Sequence, residues 1–172
     1  PFSSLNRLLV PMSPKPFSTT HAAAYSSFLS RRLDKSPSVR AAWATAVGRI
    51  LSTSAGGIGF NDGEDTKLLT GLAQTLGDAD EKVRLSAIKV IASFSFADAI
   101  NRFGPNGGIE KQGSVMCALA ERIKDRKHAV REQAARALGR LWGVASNDIQ
   151  DSAEKVVSTL GQIPTRILDS VY

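Results

Sequence analysis

The sequence predicts an all-α superhelix, a row of antiparallel helical pairs stacked side by side. Three observations predict it. The pattern Asp, four residues, then Val-Arg occurs at Asp34…Val39-Arg40, Asp78…Val83-Arg84 and Asp125…Val130-Arg131. Its valines stand 44 and then 47 residues apart, a period that belongs to helical-pair solenoids. Alanine is abundant and aromatics are only 6% of the 172 residues, which favours helix over strand and lets helices approach closely.

Residues 1–20, "PFSSLNRLLVPMSPKPFSTT", carry Ser, Arg and Lys without acids, a loose likeness to a transit peptide. Prolines 11, 14 and 16 break any helix beyond Val10. They are read as a flexible or fragment-derived lead-in; the chain opens on Pro1, not Met. The repeat array spans 21–172, in units of about 21–52, 64–96 and 114–143, with an incomplete one over 147–172.

Each unit reads as helix A, a tight turn and helix B. Counting from the recurring valine, the B helices place Val39, Ala42, Trp43, Ala46, Val47 and Ile50 on one stripe. Val83, Ala87, Val90, Ile91 and Phe94 form the second stripe, and Val130, Ala134, Ala137, Leu138 and Leu141 the third. These offsets line one face of a helix. Upstream, Leu68, Leu69, Leu72, Ala73 and Leu76 mark the second A helix, and Val115, Met116, Leu119, Ala120 and Ile123 the third. In the first, Ala24, Tyr25, Phe28 and Leu29 repeat the pattern, Arg32 stands where an apolar residue is expected, and Leu33 is assigned its place. One pair cannot bury its stripe alone, so neighbours must stack.

Asp34, Asp78 and Asp125 sit where A stops and B begins, placed to cap the free N–H groups of helix B. Pro37 fits the first helical turn, where a missing N–H costs nothing. "TSAGGIGFNDG" and "FADAINRFGPNGGIEKQG" read as glycine-rich connections. Asn147 or Asp148 is placed to start a further helix carrying Ile149, Ala153, Val156, Val157 and Leu160, and "QIPTRILDSVY" another, with Pro164 in its first turn.

The arginine six residues after each aspartate resembles the signature of HEAT repeats. That resemblance implies a structural ladder of charge-assisted bonds between units, built from Asp34, Arg40, Asp78, Arg84, Asp125 and Arg131. The expected fold is therefore an α-α superhelix, a HEAT-repeat solenoid of three helix pairs and the start of a fourth.

No enzymatic chemistry is visible. His21 and His128 have no metal-ligand partner at fixed spacing, and Cys117 sits beside Met116 as a small packing residue. A single cysteine excludes an internal disulfide and points to a reducing compartment. "AGGIGFNDG" lacks both the Gly-Lys-Ser/Thr ending of a phosphate loop and a preceding strand. No catalytic, cofactor-binding or metal residues are assigned. Ser13-Pro14 and Ser36-Pro37 match a proline-directed phosphorylation dipeptide, with Ser36 read as part of the capped turn.

Two features suit a partner. The formal charge of +6 includes Arg49, Lys89, Arg136 and Arg140 on the polar side of the B helices, joined in the third unit by Arg122, Lys124, Arg126 and Lys127. Leu85 and Ile88 lie off the core stripe, as an apolar contact for a partner helix or as packing against a flanking unit. The partner-binding set is thus Leu85, Ile88, Lys89, Arg136 and Arg140.

Three segments carry a closer likeness: "FLSRRLDKSPSVRAAWATAVGRIL", "GLAQTLGDADEKVRLSAIKVI" and "LAERIKDRKHAVREQAARALGRLWG". Together with the ending "QIPTRILDSVY", they resemble the central HEAT segment of the cohesin-associated regulators of sister-chromatid cohesion, the precocious-dissociation-of-sisters family. The likeness covers about residues 22–172. It implies a nuclear, chromatin-associated, non-catalytic scaffold acting in the cell cycle and mitosis. The implied partners are the kleisin subunit of cohesin, the cohesin-release factor and the cohesin acetyltransferase. The alternatives are another HEAT scaffold, such as a nuclear transport receptor or complex subunit, and a basic solenoid that contacts DNA directly.

Overall fold

The computed structural model describes residues 17–53, 62–105, 107–150 and 153–169, and among these it is helical with no strand. A short helix α1 (Phe17–Thr20) leads into α2 (Ala22–Ser30), followed by α3 (Pro37–Thr53), α4 (Asp62–Leu76) and α5 (Glu81–Ser93). Then come α6 (Phe96–Phe103), α7 (Val115–Glu121), α8 (His128–Gln150), α9 (Glu154–Leu160) and α10 (Ile163–Leu168). The fold is a helical-repeat solenoid. Helix α3 packs along α5 and α5 along α8, making one layer; α4 packs along α7 and α7 against α10, making the other.

The core lies between the layers. Trp43, Val47 and Leu51 of α3, Leu68, Leu72 and Leu76 of α4, and Ala87, Val90 and Ile91 of α5 belong to one continuous cluster with Leu119, Val130, Leu138 and Leu141. Close approach is built in by small residues. A Cβ on Gly71 would lie 2.5 Å from Cη2 of Trp43, and one on Gly48 2.5 Å from Cγ1 of Val90.

Val83 and Val130 are fully buried, whereas Val39 is half-buried. Among the described residues no unit stacks on the outer side of the first, so its valine lacks one wall. The B-helix stripe is also turned from the expected one. Ala42 is exposed and Ala44 fully buried, because each B helix is covered on its flank by the next B helix as well as by its A partner. Ala24 is exposed, and Leu33, assigned to the place of Arg32, is 74% exposed. The end of that A helix tightens into a 3-10 turn over Arg31–Leu33, which swings Leu33 outward and leaves Arg32 half-buried.

The connection between the second and third units is no mere loop. Ser95 accepts a hydrogen bond from the Asp98 amide (3.1 Å) and starts α6, which buries Ala99, Ile100 and Phe103. Phe103 meets Phe94 edge-on, with ring centroids 5.1 Å apart. The chain then turns at Gly107 (φ 109°) and buries Ile109 completely. The helix start expected at Asn147 or Asp148 does not occur there. Helix α8 runs on to Gln150, and α9 begins at Glu154. Helix α9 packs against α6, where the Ile109 amide donates to the Thr159 carbonyl at 3.1 Å, so α9 repeats the connecting helix and α10 begins the next A layer. The connection "TSAGGIGFNDG" lies for the most part outside the described residues.

Candidate functional site

Two surfaces carry the polar residues singled out by the sequence: the edge formed by the A–B turns, and the outward side of the B helices. The turn edge holds the ladder. Arg40 donates through Nε and Nη2 to the two carboxylate oxygens of Asp78, at 2.7 and 2.8 Å, and through Nη1 to the Asp34 and Lys35 carbonyls. Arg84 repeats this one unit on. Its Nη1 donates to the Asp78 and Ala79 carbonyls and its Nη2 to Asp125 Oδ1 at 2.9 Å. Its Nε lies 2.8 Å from Asp125 Oδ2 without the alignment of a hydrogen bond. Each arginine thus ties the carbonyls of its own turn to the carboxylate of the following unit. The planar fork of guanidinium suits this double duty.

The ends of the series differ. Asp34 is held by Arg31 at 3.1 Å, and Arg131 donates to the Asp125 carbonyl at 2.9 Å. The two rungs are also unequally buried: 15% and 12% side-chain exposure for Arg40 and Asp78, against 3% and 3% for Arg84 and Asp125.

The aspartates do not cap the B helices directly. Asp34, Asp78 and Asp125 accept from the amides of Ser36, Asp80 and Lys127, two residues on, in the turn that precedes each helix. The cap of α5 is Asp80, which accepts from Lys82 and Val83. Asp80 was legible in "DADEK" as an acid one residue before a helix start. For Asp78 the Arg40 hydrogen bond outweighs burial and holds the carboxyl below the ordinary carboxylate range. For Asp125 burial pulls upward most strongly. The bonds from Arg84 and the Lys127 amide, with the charges of Arg84 and Arg122, together overcome it and leave the carboxyl lowered.

Most cations of the third turn are engaged. Arg122 lies 3.3 Å from Glu121 and 3.4 Å from Asp125, Arg126 donates to the Ala79 carbonyl across the unit boundary, and Lys127 lies 3.8 Å from Glu81.

On the B helices the proposed contact set divides. Ile88 is 1% exposed and sits in the core cluster, so it is no surface anchor; Leu85 is half-buried and packed against that cluster. Of the two readings of this pair, the residues take packing against flanking units, because α5 is flanked by α3 and α8. Arg140 reaches over the end of α5, donating to the carbonyls of Ala92 and Phe94. That contact sets α5 and α8 in register, with Lys89 and Arg136 at matching positions. Lys89 is exposed, and Arg136 is 72% exposed with Glu132 at 2.7 Å.

Among the described residues, no group of His, Cys, Asp and Glu is placed to hold a metal ion, and no helix is long and apolar enough to cross a membrane. Cys117 is buried on α7, and burial pushes its thiol up.

A family model described as "Sister chromatid cohesion protein PDS5 protein" matches residues 3–172. The sister chromatid cohesion protein pds5 of Schizosaccharomyces pombe is 30% identical over 101 residues, which are 59% of this chain and 8% of that protein. The chain therefore spans less than a tenth of this curated relative's length.

Proposed function

This chain belongs to the PDS5 family of sister chromatid cohesion proteins, and on that premise we propose that it is a non-catalytic scaffold segment of sister-chromatid cohesion. In this reading it acts in the nucleus on chromatin, binds cohesin through its kleisin subunit, and meets the cohesin-release factor and the cohesin acetyltransferase as parts of the same assembly. The observation that carries the reading is the family match, which runs over nearly the whole chain, 3–172. The architecture supports it. A solenoid offers a long shared surface, and Arg40 and Arg84 join its successive units.

The contact surface in this proposal is the outward row of the B helices, at Lys89 and Arg136, with Leu85 at its margin and Arg140 holding the register. A net charge of +6 suits an acidic partner segment. The test measures binding of a kleisin fragment and of duplex DNA to the chain across a salt series. Binding of the kleisin fragment, with association slowed by Lys89→Glu plus Arg136→Glu and made less salt-dependent, is the expected result. Steeply salt-dependent DNA binding without kleisin binding would overturn it for this segment in favour of a nucleic-acid solenoid. Leu85→Glu with Ile88→Glu is unsuitable here, since a carboxylate at position 88 would be driven into the core.

A further inference from the structure

We propose that Ser36 is a phosphorylation site for a proline-directed protein kinase, and that its phosphate loosens the first unit from the second by drawing Arg40 off Asp78. Three observations meet at this turn. Ser36 precedes Pro37, the first residue of α3; both are half-buried, and the flanking Leu33, Lys35 and Ser38 are exposed, so the turn lies at the surface.

The hydroxyl is uncommitted. Ser95 and Ser114, at the starts of α6 and α7, accept the amides of Asp98 and Cys117. At Ser36 the backbone does this work: its carbonyl accepts from Val39 and Arg40, its amide donates to Asp34, and its hydroxyl makes no bond among the described residues.

The turn also holds the first rung. Arg40 already donates to the carbonyls of Asp34 and Lys35, which brings its guanidinium back to the residues just before Ser36. A phosphate there stands beside Arg40 and next to the Asp34 carboxylate, which Arg31 already neutralises, and it offers more charge than the Asp78 carboxylate. The Arg40–Asp78 rung is reachable from solvent, unlike the buried Arg84–Asp125 rung.

In the step itself, Ser36 Oγ attacks the terminal phosphoryl group of a nucleoside triphosphate. The new O–P bond forms as the bond to the β-phosphate oxygen breaks. The nucleoside diphosphate leaves, and the hydroxyl proton passes to the kinase's base.

The experiment treats the 172-residue chain with a proline-directed kinase and ATP, and locates phosphate by peptide mass spectrometry. Ser13, the other Ser-Pro, serves as an internal comparator. Phosphate at Ser36, abolished by Ser36→Ala, is expected, together with a lower urea midpoint and severalfold faster amide exchange in α3 than before treatment. Asp78→Ala, which already lacks the rung, should show no further fall on phosphorylation. Phosphate on Ser13 with none on Ser36 would overturn the site. An equal fall in the parent and in Asp78→Ala would overturn the Arg40 switch.

Discussion

Replacing Arg84 by alanine is the sharpest perturbation of this fold. The side chain is 3% exposed, and so is that of its partner Asp125. Removing it takes away one aligned bond to the carboxylate, a close ion contact, and a donor to each of the Asp78 and Ala79 carbonyls, the second of which keeps Arg126. Breaking one side of a buried ion pair costs about 3–5 kcal/mol, because a charge is left without its partner. Asp125 keeps the Lys127 amide at 2.9 Å and Arg122 at 3.4 Å, which places the cost at the low end, about 3 kcal/mol. With a urea slope of about 2 kcal/mol/M, the midpoint should fall by about 1.5 M. Equilibrium unfolding followed by circular dichroism measures this. The double variant with Asp125→Ala should lose less than the sum of the two single variants. A midpoint within about 0.3 M of the parent would refute the argument, since it would mean that a fully enclosed guanidinium carries no net load.

The same pair gives a pH signature. The Asp125 and Asp78 carboxyls are lowered in the folded chain, so their contribution is complete above the ordinary carboxyl range and is lost as pH falls through their folded values. Without Arg84, Asp125 loses two of the causes that lower its carboxyl, so less stability is lost on acidification and the gap between parent and Arg84→Ala should shrink below about pH 4 in acid titrations. Gly71→Ala should destabilise by about 1–3 kcal/mol by striking Trp43, whereas Gly139→Ala, on an exposed helix face with open space, should stabilise by about 0.5–1 kcal/mol; thermal melts of the two variants check both signs. Cys117 should resist an aromatic disulfide reagent in the native protein and react at once in denaturant, because burial and a raised pKa keep the thiol protonated and covered.

Much of the fold is written in the chain order. Hydrophobic spacing of three and four residues marks a helix wherever it occurs, and the Asp…Val-Arg pattern returns at a fixed place in each of the first three units, so helical pairs and their stacking can be read without coordinates. Helix α6 was legible too, in Ser95 as cap and in Ala99, Ile100 and Phe103 as a buried face, but the glycines that follow hide it among turn residues. What one helix cannot reveal is how many sides of it are covered. Leu85 and Ile88 fall off the stripe that faces the A layer, and only the approach of α3 and α8 turns Ile88 inward. Leu33 and Arg32 differ by one position, and a single 3-10 turn decided which of them faces out. The spacing of aspartate and arginine, likewise, is local, but the carboxylate each arginine grips lies 38 or 41 residues away. Sequence therefore determined the units and their polar edge. Tertiary packing decided the partners, because burial and ion pairing are properties of neighbours that meet only when the units stack.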